Sequence, residues 1–196
     1  MNKFGGWVIA EKMDGMPQKV ASAMGGGLKI LGASYDFVAY LGHQAVNGTN
    51  HAVLATQTVM TGKDVKNAVV LIFNEKPESQ EVALVGVRTL VENGGPLGGT
   101  DINMGFEIPD DAKAALETAL AGFVGSNIKP VIYVGAKVTK GTDYIMIAEV
   151  APVTLNPEKK LLLITVNTMT NKIDFEPVLD LNKEEQGKLG YAFTWL

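Results

Sequence analysis

The 196 residues are enough for one large or two small domains, and 46% of them are apolar, which is ample for packed cores. The net charge of −4 comes from mixed signs with no basic stripe, which argues against nucleic acid as a partner. No apolar run approaches the roughly 20 residues that a membrane-spanning helix needs. The absence of cysteine excludes disulfides, thiolate metal sites and a cysteine nucleophile.

Two features bear on cellular location. The first seven residues carry one cation and no uninterrupted apolar core, so they make a poor signal peptide. The lack of cysteine fits a reducing compartment, although many exported bacterial proteins also lack it. The sequence slightly favours the cytoplasm and leaves export after removal of a signal open.

An internal repeat organises the chain. Residues 42–51 align with residues 135–144, and the same offset of 93 pairs Tyr40 with Tyr133. It also aligns the run Gly48-Thr49-Asn50 with Gly141-Thr142-Asp143. The repeat predicts two tandem domains, 1–93 and 94–196, which divide in the glycine–proline linker that follows residue 92.

Each copy has the same predicted order of elements. A Gly-Gly segment is followed by an amphipathic helix and then by four strands. The predicted strands of the first copy are 35–46, 51–60, 68–74 and 82–91, and those of the second are 129–139, 144–153, 160–168 and 173–181. The apolar helix positions are Val20, Met24, Leu28 and Leu31 in the first copy and Ala112, Leu116, Leu120 and Phe123 in the second. The predicted fold class is α+β, with one helix packed on a four- to five-stranded antiparallel sheet in each domain.

The run from Gln44 to Asn50 resembles the Gln-x-Val-x-Gly-Thr-Asn hairpin of the cystatins, which inhibit papain-like cysteine proteases. The glycine pair near the amino terminus and the order of elements over residues 1–93 resemble this family too. The absence of cysteine is similar to the stefin type, which lacks disulfides. The resemblance implies two tandem cystatin-like domains. The second copy departs from the pattern, since Lys137 replaces Gln44 and Thr139 replaces Val46.

The resemblance further implies a reversible inhibitor rather than an enzyme. An amino-terminal segment and two hairpin loops would form a wedge that fills the cleft of a papain-like protease. The residues implied to touch the protease are Gly5, Gly6, Gln44, Ala45, Val46, Asn47 and Gly48, with Lys63 and Asp64 from a second loop.

Other interpretations remain open. The Asn47-Gly48 turn is also what an ordinary tight hairpin uses. The chain would then be a non-inhibitory binding or scaffold module, or, by layout, a latexin-like inhibitor of metallocarboxypeptidases. His43 and His51 flank the turn without a carboxylate nearby in sequence, so we expect no metal site and no cofactor. No catalytic motif is present, which predicts a non-enzyme. Exchange of hairpins between copies leaves a homo-oligomer open, and the aromatic tail 191–196 is expected to pack on a domain or to dock a partner.

Overall fold

The computed structural model describes residues 5–25, 28, 32–60, 64–93 and 99–179. They form two compact units that divide between Leu90 and Val91, and Leu179 belongs with the first unit. Each unit holds one five-stranded antiparallel sheet in which the strands follow one another in chain order. A short helix lies in the sequence between the first and second strands of each sheet.

The elements of unit 1 start with a three-residue edge strand. The central strands are 12 to 14 residues long. In chain order the elements are β1 (Trp7–Ile9), α1 (Gln18–Gly25), β2 (Ala33–Val46), β3 (Gly48–Met60), β4 (Asp64–Glu75) and β5 (Val82–Val91).

The elements of unit 2 repeat this order. Its second and third strands begin 93 residues after those of unit 1. The elements are β6 (Thr100–Gly105), α2 (Asp110–Ala119), β7 (Ser126–Thr139), β8 (Gly141–Pro152), β9 (Lys160–Asn167) and β10 (Ile173–Pro177).

One glycine in each unit allows the edge strand to lie beside the second strand. A Cβ atom on Gly42 would stand 2.2 Å from the carbonyl oxygen of Val8, and one on Gly135 would stand 2.2 Å from that of Asp101. No side chain fits at that distance, so only glycine permits β1 and β6 to pair where they do. Each glycine also lies at a register shift of its strand, between Tyr40 and Gly42 in β2 and between Tyr133 and Gly135 in β7.

Each sheet buries apolar side chains on both faces. The face under the helix carries Val53, Leu71 and Phe73 in unit 1, and Val20 of α1 packs among them with none of its surface exposed. Alternate residues on the same strands, such as Leu54 and Val70, point to the opposite face and are equally buried. Unit 2 is built the same way. Its cluster under α2 comprises Ile108, Ala112, Leu116, Met146, Ala148, Ile164 and Val166.

The structure corrects the predicted fold class. Strands dominate both units and the two helices have only eight and ten residues, so the protein is mostly sheet. The α+β prediction of cystatin-like domains, each with one helix packed on a sheet, is wrong. The large share of strand and the small share of helix do not plainly match that fold. The physical reason is that long strands buried on both faces supply most of the core, which leaves each helix a minor share.

Both helices end before the last residues of their apolar spacing, although in the first copy the run Gly25-Gly26-Gly27 predicts a short, kinked or closely packed helix. Helix α1 ends at Gly25, so Leu28 reaches the core of unit 1 from outside the helix. Helix α2 ends at Ala119, where the hydrogen bonds tighten to three-residue spacing, as from the Phe123 amide to the Leu120 carbonyl. Phe123 is therefore 49% exposed instead of lying on a buried helix face.

Several predicted features lie outside the described residues. These are Lys63, Leu31, the linker 94–98 and the aromatic tail 191–196.

Candidate functional site

The hairpin between β2 and β3 is very tight. Val46 pairs with Gly48 across the sheet, which leaves Asn47 alone at the tip. Gly48 has a φ of 97°, which favours glycine, and a Cβ there would stand 2.2 Å from the carbonyl oxygen of Glu75. The hairpin therefore lies directly against the last residue of β4. Val46 has 38% of its surface exposed.

The amino-terminal glycines lie beside this hairpin. The Gly5 amide donates a hydrogen bond of 3.2 Å to the carbonyl of Ala45. The Gln44 side-chain amide donates one of 2.7 Å to the carbonyl of Gly5. Gly6 follows directly and leads into β1, where Trp7 pairs with Gln44. The structure therefore brings Gly5, Gly6 and the hairpin residues together, as the wedge would require.

Gln44 makes side-chain hydrogen bonds within unit 1. Its side-chain oxygen accepts a hydrogen bond of 3.1 Å from Asn50, whose own oxygen accepts one of 2.8 Å from Asn74. Together with the bond to Gly5, this ladder of amides connects the amino-terminal segment to β2, β3 and β4. Both polar atoms of the Gln44 side chain make internal bonds, so we expect Gln44 to position the segment, and its contact with a protease stays a prediction.

The second loop at this end is the turn between β4 and β5. Thr49 pairs with Glu75, so the turn that follows Glu75 lies next to the hairpin. Two backbone bonds of 3.0 Å close it, from Lys76 to Glu81 and from Gln80 to Lys76. We call Gly5–Gly6, the hairpin Val46–Gly48 and the turn Lys76–Glu81 the loop end of unit 1.

Asp64, predicted to belong to the second loop, lies elsewhere. It pairs with Met60, twelve residues along β3 from Gly48. At about 3.3 Å per residue that is roughly 40 Å from the hairpin. Successive turns of an antiparallel meander alternate between the two ends of the sheet. The turn after β3 therefore cannot join the turn before it, and the turn after β4 does.

A polar cluster with a buried pair, Tyr40 and His51, lies behind the loop end. The Tyr40 hydroxyl is 2.8 Å from Nδ1 of His51, whose Nε2 is 3.4 Å from a carboxylate oxygen of Glu75. That buried nitrogen makes no well-aligned hydrogen bond with a described residue. Lys19 of α1 then bonds both Glu75 and Gln80 at 2.8 Å. The cluster fastens α1 and the β4–β5 turn to the sheet.

The pKa values of the cluster follow from its burial and its charges. Desolvation lowers the pKa of His51 below its ordinary value, although Glu75 opposes the shift. Burial raises the pKa of Tyr40 to about 12. The hydrogen bond from Lys19 lowers the pKa of Glu75. His51 and Tyr40 expose only 6% and 8% of their surface, so neither is placed to meet a substrate atom. Sequence reasoning missed this contact because Glu75 is far from both histidines in the chain.

The corresponding end of unit 2 is bonded differently. Asn167 donates a hydrogen bond of 2.6 Å to Asp143, and its side-chain oxygen accepts bonds from the amides of Met169 and Thr170. The amide of Thr142 donates to the Thr168 hydroxyl at 2.9 Å. These bonds tie the β7–β8 hairpin to the β9–β10 turn within unit 2.

Among the described residues, no group of three or more histidine, aspartate or glutamate side chains could hold a metal ion. No helix in the described part of the chain has the length and apolar character needed to cross a membrane. No family model matches the chain, and no curated protein matches it either. The cystatin resemblance therefore stays a prediction.

Proposed function

We propose that the loop end of unit 1 binds the cleft of a papain-like cysteine protease and inhibits it reversibly. The observation that supports this most is the convergence of three separate chain segments at one end of a sheet. Hydrogen bonds from Gln44 and from Gly5 join two of these segments before any partner arrives. A surface ordered in advance loses little conformational entropy on binding, which favours affinity.

The chemistry of the tip suits occlusion of a cleft. Val46 supplies an exposed apolar side chain, and Gly48 lets the backbone turn without a side chain in the way. The backbone of Ala45 is bonded to Gly5 on one side and lies in the sheet on the other. The backbone bonds of this strand are already formed within the sheet, so the strand is not free to align along a protease cleft as a substrate would, and the protease would be blocked without cleaving the inhibitor.

A non-inhibitory binding module is the second candidate, and one observation favours it. The β4–β5 turn reads Lys-Pro-Glu-Ser-Gln-Glu and carries no large apolar side chain. Its charges are partly paired internally, as between Lys76 and Glu81 at 2.8 Å. A polar second loop contributes less to a buried contact than an aromatic one, since hot spots are enriched in aromatic residues and arginine.

The test is a titration of papain with the full chain. We expect competitive, reversible inhibition, with the inhibitor recovered uncleaved by mass spectrometry. A metallocarboxypeptidase assayed in parallel tests the latexin-like alternative. The absence of papain inhibition at tens of micromolar, which corresponds to binding weaker than roughly −6 to −7 kcal/mol, would contradict the proposal. Binding to papain without inhibition would favour the second candidate.

A further inference from the structure

Unit 2 carries an apolar groove beside α2. It has a volume of about 480 Å³ and lies between the helix, the segment before it and the start of β7. Leu116 and Ile108 form its buried floor, and Phe106, 47% exposed, stands at its mouth. The rest of the apolar lining comes from Leu120, Ile128 and Pro130. The size suits one or two large apolar side chains of a ligand.

The charges on the rim are unbalanced. Lys113 is held by Asp110 at 3.0 Å, so its charge is already matched. Glu107 and Glu117 also line the groove and are exposed, and neither makes a hydrogen bond or ion pair with a described residue. The rim is therefore negative around an apolar floor, which is complementary to a cationic, amphipathic ligand.

Comparison with unit 1 indicates that the groove is a local difference. The residue 93 positions before Ile128 is Tyr35. Tyr35 packs against the apolar cluster of unit 1, and its hydroxyl accepts a hydrogen bond of 2.9 Å from Gln57. A larger side chain thus occupies that position in unit 1, whereas the smaller Ile128 lines a groove in unit 2.

We propose that this groove binds a short segment of a partner protein in which large apolar residues are flanked by lysine or arginine. The apolar side chains enter between Phe106 and Leu120, and the basic groups meet Glu107 and Glu117. The site lies in unit 2 and does not depend on the loop end of unit 1.

The test uses two blocked pentapeptides and the full chain. One peptide is Lys-Phe-Leu-Lys-Gly, and the other replaces both lysines with glutamate. Titrations followed by backbone amide chemical shifts should show saturable shifts in α2 and β7 with the cationic peptide. The anionic peptide should bind at least about tenfold more weakly, because the rim repels it. Equal binding of the two peptides, or no binding at millimolar concentration, overturns the proposal.

Variants locate the contact. Ile128→Tyr, which copies unit 1, should fill the groove and weaken binding at least about tenfold, as the loss of one buried side chain implies. Phe106→Ala keeps the floor intact and should weaken binding several-fold, so it tests the site even if Ile128→Tyr destabilises the unit. Glu107→Gln with Glu117→Gln should cost about three- to tenfold, and less at high salt.

The matched control is Glu176→Gln, an exposed glutamate on β10 that does not line the groove; it should bind as the parent does. Sedimentation of the full chain tests whether a second copy of the chain occupies the groove. Self-association that Phe106→Ala abolishes would mean that a second copy fills the groove, and this result would overturn the peptide assignment.

Discussion

The two units share a sheet order but differ at the ends that carry their hairpins. In unit 1 the amide ladder from Gln44 reaches outward and fixes the amino-terminal segment beside the hairpin. In unit 2 the bonds of Asn167 close the two turns on each other, and Lys137 stands where Gln44 would be. Among the described residues, the repeated fold therefore keeps its strands while the side chains at the hairpin end form different bonds in the two copies, and function depends on such a site and not on the fold.

The first prediction tests what the two units share. Gly42→Ala should lower the free energy of unfolding by about 3–5 kcal/mol, because it combines a backbone clash with a φ of 149° that disfavours a side chain. Gly135→Ala meets the same clash without that strain and should cost about 1–3 kcal/mol. Urea denaturation of each variant measures the difference. Equal and small losses in both would mean that the edge strands do not pair as described.

The second prediction separates the two hairpins. Val46→Asp should weaken papain inhibition by about 2–3 kcal/mol, or roughly 30- to 150-fold, because it places a charge in a buried contact. Val138→Asp, on the hairpin of unit 2 and 77% exposed, is the matched control and should change nothing. Inhibition constants for the parent and both variants decide the point. The assignment to unit 1 fails if the control variant loses inhibition and Val46→Asp keeps it.

The third prediction tests the positioning role of Gln44. Gln44→Ala removes the bonds to Gly5 and Asn50 and should weaken inhibition about fivefold, in line with about 1 kcal/mol for such bonds. The loss should not exceed that caused by deleting residues 1–6, and adding Gln44→Ala to the deletion should weaken inhibition little further. Lys137→Ala is the control in unit 2. Full additivity of the two changes would show that Gln44 acts by direct contact instead.

The fourth and smallest prediction concerns pH. His51 has a lower pKa in the folded protein than its ordinary 6.5, so the unfolded chain binds more protons. Unit 1 should therefore lose stability as pH falls below about 6.5, and again below the ordinary pKa of Glu75, which is lowered as well. The groups acting on His51 are Tyr40, Glu75 and the charge of His43, while Lys19 acts through Glu75.

Amide hydrogen exchange in β3 and β8 from pH 7 to pH 5, corrected for intrinsic rates, measures this effect. Unit 2 has Tyr144 and Thr168 at the corresponding positions, which supply neither an imidazole nor a carboxylate. Its protection should fall less than that of unit 1. His51→Gln should remove the difference between the units above pH 5, and His43→Gln should retain it. Parallel losses in both units would contradict the account.

The sequence predicted the local features well and the long-range ones poorly. The tight turn at Asn47-Gly48 follows from turn chemistry, and the equivalence of Gly42 and Gly135 follows from the repeat. Apolar spacing continues past the residues where each helix ends and so predicts helices that are too long, whereas the run Gly25-Gly26-Gly27 predicts a short or kinked first helix. The continuous apolar run at residues 68–73 signals a strand buried on both faces, and that signal would have corrected the fold class.

The candidate site also depends on long-range contacts that the sequence predicts poorly. The direction of each strand decides which turns lie at the same end of a sheet. Counting loops along the chain ignores this direction and therefore places Asp64 at the wrong end. The contact of His51 with Glu75 joins residues on separate strands, and no local pattern announces it. The bonds of Gln44 likewise depend on where Gly5 lies after folding.

The loop end of unit 1 is the surface that we propose to bind a protease. Amide hydrogen exchange of the full chain, alone and with papain inactivated at its catalytic cysteine, tests this most directly. We expect slower exchange at Gly5–Gly6, in the hairpin Val46–Gly48 and in the turn Lys76–Glu81, with the hairpin of unit 2 unchanged. Protection confined to the hairpin of unit 2, or no change anywhere at saturating papain, would contradict it.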